Sequence, residues 1–135
     1  MGIDKLSEYT REIISAIAGY FIFLAGGLDQ ALEFLIVCIF LDYLTGLAKA
    51  MYCCDITSKK SIIGIIKKLG ILTLVLVANM IDVRMGLAGK LRSYFIYMLF
   101  INECLSITEN LGVLRVPGAK KLCDLIEIVK KYLKK

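Results

Sequence analysis

Histidine and tryptophan are absent from the 135 residues, and proline occurs once, at Pro117. Without histidine there is no Ser/His/Asp set for nucleophilic catalysis and no mixed zinc pattern. The five cysteines, Cys38, Cys53, Cys54, Cys104 and Cys123, contain no C-x-x-C pair, which excludes a metal knuckle and gives no disulfide framework. Four of them, all but Cys123, lie within or at the ends of apolar runs, where a free thiol behaves as a small hydrophobe. A Gly-rich phosphate loop is also missing, so neither an enzyme nor a cofactor nor a metal is expected. A single proline implies short connections. The missing tryptophan removes the usual interfacial belt and leaves seven tyrosines as anchors.

What is abundant is apolar surface. The hydrophobic fraction is 59%, above the roughly 45–50% of soluble domains, and the mean hydropathy is +0.75. A chain this small has too high a surface-to-volume ratio to hide that surface from water. An all-α integral membrane protein removes the difficulty. The 17 Lys plus Arg exceed the 12 Asp plus Glu and cluster beside apolar runs, which points to anionic headgroups and not to nucleic acid.

Four apolar stretches stand out: Ile13 to Leu28, Phe34 to Cys54, Leu69 to Val83 and Ser93 to Thr108. A span needs about 20 apolar residues, with ~17 tolerated. Only the second is long enough unaided. The third reaches that length by starting near Ile62 if Lys67 and Lys68 snorkel. The acidic leader before the first run (Asp4, Glu8, Glu12) is a poor signal peptide, so that run is expected to be retained. Thr57 and Ser58 are plausible helix caps. Four spans are expected over residues 1–116, with a basic amphipathic helix over residues 117–135. In that tail Leu122, Leu125, Ile126, Val129 and Leu133 recur at helical spacing, among Lys120, Lys121, Lys130, Lys131, Lys134 and Lys135.

Cations set the orientation. Lys5 and Arg11 precede the first run; Lys49, Lys59, Lys60, Lys67 and Lys68 surround the second connection; Arg115 joins the six tail lysines. The opposite side holds only Arg84, Lys90 and Arg92. Both termini are therefore expected in the cytoplasm. The alternative is three spans, with the first run in the interface and the N-terminus outside.

Polar residues within the runs are the candidate site, because a charge at mid-bilayer costs roughly 2.5–3.5 kcal/mol on insertion scales and turns toward protein or water. Asp42, Thr45, Gly46 and Lys49 share one helical face with Cys38 and Cys53. Asn102, Glu103 and Ser106 form a second polar face, while Glu109 and Asn110 read as solvated helix ends. These groups either line a pore or oligomer face or fix packing between helices. Gly46 and Ala50, like Ser15 and Gly19, form small-xxx-small pairs that permit close helix approach. By depth, Lys49 is expected to pair with Glu103, Asp42 to meet Tyr97, and Asp82 to meet Arg84 or Arg92.

The segment from Phe40 to Asp82 resembles the central region of the clostridial-type toxin-secretion and phage-lysis holins. Their D-x-x-T-G-x-x-x-A pattern falls on Asp42, Thr45, Gly46 and Ala50, and an S-x-x-G-x-x-x-K segment on Ser61, Gly64 and Lys68. A later match covers Glu103, Ser106, Ile107, Asn110 and Pro117, although the usual pair of prolines is reduced to one. The resemblance implies a multi-pass protein of the bacterial cytoplasmic membrane that self-associates into a lesion and releases a lysin or toxin. Residues alone leave two other classes open: a small channel or transporter using Asp42 and Lys49, and a non-conducting adaptor that recruits a partner through its tail.

Overall fold

The computed structural model describes residues 3–54 and 58–133. Thr57, Lys134 and Lys135 lie outside them, as does the side chain of Ser58. Among the described residues five helices follow in order: α1 (Ile3–Leu24), α2 (Gln30–Tyr52), α3 (Ser58–Met85), α4 (Lys90–Val113) and α5 (Ala119–Leu133). The all-helical expectation is met, and the amphipathic tail helix begins two residues after Pro117.

The breaks between helices have local causes. Asp29 sits in extended backbone and caps α2, its carboxylate accepting from the Leu32 amide at 2.9 Å. Beside it, Gly26 holds φ +89°, and a Cβ there would lie 2.6 Å from Asn79 Oδ1, so only glycine fits this close crossing. The first amides of α4 are capped from another helix: Asp82 of α3 accepts from Leu91 N at 3.1 Å and Arg92 N at 2.6 Å. Asp82 therefore meets the Arg92 backbone, not the guanidinium expected for it.

Packing centres on α4, which lies mainly against α2 and also against α5 and α3, whereas among the described residues α1 touches only α3. The small core comprises Ala25, Leu32, Leu35, Val75 and Ile96, with Ile39, Leu99 and Phe100 around it. It lies toward the end of the bundle that carries Asp29. Elsewhere large apolar side chains face outward; Val83 is 73% exposed and Phe40 61%. Exposure on this scale suits lipid, which carries no penalty for it.

Among the described residues, two helical segments are long and apolar enough to cross a membrane, Gln30–Tyr52 and Ile62–Met85. The second starts where the sequence places it, at Ile62. The charges explain why the other two helices fall short on composition. Asp4, Lys5, Glu8, Arg11 and Glu12 occupy the first half of α1, and Lys90, Arg92, Glu103 and Glu109 lie along α4.

Candidate functional site

Asp42 is the natural starting point, an acidic residue in the middle of α2 that is only 8% exposed. The helical period turns Thr45, Gly46 and Lys49 toward the same side. α4 presents Glu103, Ser106 and Asn110 to that side, and Glu103 and Asn110 are likewise buried. Lys68 enters from α3 and bridges the two carboxylates: its ammonium donates to Asp42 Oδ2 at 2.5 Å and to Glu103 Oε2. Asn110 completes the network. Its amide nitrogen donates to Asp42 Oδ1 at 3.1 Å and Thr45 Oγ1 at 3.3 Å, while its carbonyl oxygen accepts from Lys49 Nζ at 3.2 Å.

The network thus holds two carboxylates and two ammonium groups, whose four formal charges cancel. Asn110 carries the link between the Lys49 end and the acidic pair, using both halves of its amide. Gly46 lies against it; a Cβ there would be 3.7 Å from Asn110 Nδ2, an ordinary contact. A cleft of about 220 Å³ opens beside the network, bordered by Asp42, Gly46, Gly64, Lys68, Ser106 and Asn110. It is large enough for several waters.

Several sequence expectations change here. Lys49 does not pair with Glu103, because Lys68 takes that carboxylate. Asp42 does not meet Tyr97, which points away and is 58% exposed. Asn110 is not a solvated helix end but the centre of the hydrogen bonding. Asn102 is exposed and stands apart from the other site residues, one position off the face that carries Glu103. In the sequence Lys68 reads as a snorkelling end residue. The signal that could have placed it was the S-x-x-G-x-x-x-K spacing, which sets Gly64 and Lys68 one turn apart on one face.

A second polar cluster closes the opposite end of the bundle. The buried Arg92 donates from Nε to Ala25 O at 2.5 Å, from Nη1 to Asp29 Oδ2 at 2.6 Å, and from Nη2 to Gly27 O at 3.1 Å. Asn79 donates to Leu24 O at 2.9 Å. The hydrogen bonds from Arg92 hold the Asp29 carboxyl below its ordinary pKa of 3.8, against a smaller opposing effect of burial.

The five cysteines are free thiols, and Cys38 and Cys104 face each other with sulfurs 3.9 Å apart. They border an apolar cleft of about 560 Å³ whose far wall is Leu122, Leu125, Ile126 and Val129 of α5. The tail helix is thus laid along the bundle, with Ala119 buried where it begins. Lys120, Lys121 and Lys131 remain exposed and Lys130 is partly covered.

Residues 19–131 match the model of a bacteriophage holin family. The chain is 35% identical over 113 residues to an uncharacterized protein of Listeria monocytogenes, covering 84% of this chain and 79% of that one. It is 35% identical over 121 residues to an uncharacterized 14.9 kDa protein in the nagH 3' region of Clostridium perfringens, covering 89% and 92%. A probable holin of Bacillus phage phi105 is 32% identical over 98 residues, covering 73% of each chain. No solved structure matches.

Proposed function

This chain belongs to the bacteriophage holin family, and from that premise we propose that its copies assemble in a bacterial cytoplasmic membrane into a lesion that releases a cell-wall lysin or a toxin. The observation that carries the reading is the charge-balanced network of Asp42, Glu103, Lys49 and Lys68 within apolar helices. Membrane helices rarely carry such groups without a use for them.

Inside one chain these side chains satisfy one another, so a single copy can sit in lipid with this network's charges turned inward. An assembly that separates α2 from α3 and α4 would release the same groups to line water. Asp42, Thr45, Gly46, Lys49, Glu103 and Ser106 are the lining residues of this proposal, and Asn102 contributes from its own face. Both termini lie in the cytoplasm, and the tail lysines Lys120, Lys121, Lys130, Lys131, Lys134 and Lys135 rest on anionic headgroups.

Inducible expression in a bacterium tests the reading, following potassium leak and the appearance of a cytoplasmic reporter enzyme outside the cells. Release of the enzyme supports a lesion. Ion leak without enzyme release would indicate a small channel instead, and no leak at normal membrane levels would indicate an adaptor.

A further inference from the structure

The helix with fewest contacts is α1. Every side chain from Asp4 to Gly19 is exposed, and Tyr20 is 65% exposed. Among the described residues it is held at its far end, where Leu24 O accepts from Asn79 of α3. One face of α1 carries Asp4, Glu8, Glu12, Ser15 and Gly19, an acidic stripe that becomes small toward the anchored end. Nothing lies within 4 Å of a Cβ built on Gly19.

α3 has an exposed face of matching character. Lys59, Ile63, Lys67, Gly70, Leu74 and Val77 follow one another at helical spacing and are all exposed. The Leu24–Asn79 contact joins residues 55 apart in sequence, and α1 and α3 both run toward that contact. Counting back along both helices at about 1.5 Å per residue sets Glu12 level with Lys67, Ser15 with Gly70, and Asp4 with Lys59. Acid meets base at two of these depths and small meets small at the third, while Glu8 falls level with Ile63 and Gly19 with Leu74.

The two faces do not meet within one chain. Gly70 is nine residues from Asn79, so at ~100° per residue it lies on the opposite side of α3 from the side that α1 touches. To reach it, α1 would have to pass around its own partner helix. Copies of a membrane protein share one depth, so the register carries over to a neighbour.

We propose that the acidic-to-small face of α1 docks on the Lys59–Lys67–Gly70 face of α3 in a second copy of this chain. Each copy then gives α1 to one neighbour and receives α1 from another. That heterologous contact grows into a ring or an open array. The inference rests on the self-assembly reading above.

Cysteine cross-linking in membranes tests it, using chains whose native cysteines are replaced. One tagged chain carries Ser15→Cys; a second, with a different tag, carries Gly70→Cys or Leu72→Cys. Leu72 is seven residues before Asn79 and faces the same side as it does. The expected result is at least tenfold more mixed-tag dimer with Gly70→Cys than with Leu72→Cys after mild oxidation. Equal yields, or a preference for Leu72→Cys, overturn the interface. Amine-reactive cross-linking of the unaltered protein is run in parallel. A ladder of oligomers without the Ser15–Gly70 link sinks this interface alone, whereas no ladder sinks self-assembly as well. Charge exchange supplies a second readout that tolerates poor cysteine chemistry. Glu12→Lys and Lys67→Glu should each weaken the ladder when expressed alone, and their co-expression should restore it; failure to restore overturns the proposal.

Discussion

Lys68 shows how a single residue can change meaning with its helix. Beside Lys67, at the edge of an apolar run, it looks like a headgroup anchor. Because α3 begins at Ser58, Lys68 lies about three turns inside the helix and reaches two carboxylates on different neighbours. Lys68→Met would leave Asp42 and Glu103 facing each other with no cation between them. Removing one partner of a buried ion pair costs about 3–5 kcal/mol, and the expected result is a lower melting temperature of the detergent-solubilised protein. Lys68→Met combined with Asp42→Asn and Glu103→Gln should recover much of that loss. At the other end, pH is the probe of Asp29. Its folded pKa is depressed, so its contribution is complete above the ordinary value of 3.8 and fades as pH falls through the lower, folded value. Melting followed by circular dichroism from pH 6 to roughly pH 2 should show a loss on the acid side that Asp29→Asn flattens. The residues most legible in the sequence were Asp42, Lys49 and Glu103, since a charge in an apolar run is conspicuous. Their partners were not, because Lys68 and Asn110 stand where a snorkelling or solvated residue is ordinary.

Helix existence was legible and helix pairing was not. Hydrophobic periodicity and Pro117 mark the start of α5, and the third apolar run does extend back to Ile62. Depth counting set Lys49 against Glu103 without α3, whose Lys68 takes that carboxylate and whose placement no local pattern fixes. The α5 helix now has two faces with different tasks: an apolar wall along α4 and lysines turned outward. Truncation after Pro117 removes both. About 1 kcal/mol per basic residue near an anionic surface is lost, weakened by salt, and the cleft beside Cys38 and Cys104 loses its cover. The proposed lesion does not draw on α5, so the expected outcome is a shift in the onset of lysis, timed by culture turbidity, with enzyme release preserved. If the truncated protein reaches normal membrane levels and releases nothing, the tail belongs to the hole.

For the whole molecule the topology turns on α1, which sets the side of the membrane that holds the N-terminus. The four-span and three-span arrangements agree about α2, α3 and α4; they differ only in where the N-terminus lies. In favour of a cytoplasmic N-terminus, Lys5 and Arg11 join the cation-rich side that holds Lys49, Lys59 and the tail. The fold adds a geometric point. Arg92 ties the connection after α1 to the start of α4 through Ala25, Gly27 and Asp29, so the C-terminal end of α1 is at the same end of the bundle as the α3–α4 connection. From there, 22 residues of helix at about 1.5 Å each are long enough to return across the hydrocarbon. Single-cysteine labelling with a membrane-impermeant maleimide reads the answer, in an otherwise cysteine-free chain and before lysis begins. Ala88→Cys, between α3 and α4, should label in intact cells, and Lys131→Cys only after permeabilisation. These two positions fix the orientation of the shared helices. Ser7→Cys then separates the arrangements. Labelling only after permeabilisation is expected for four spans, whereas labelling in intact cells would place the N-terminus outside. The latter result would also remove Asp4 and Glu12 from the depth of Lys59 and Lys67, so the α1 docking register and the four-span topology stand or fall on the same residue.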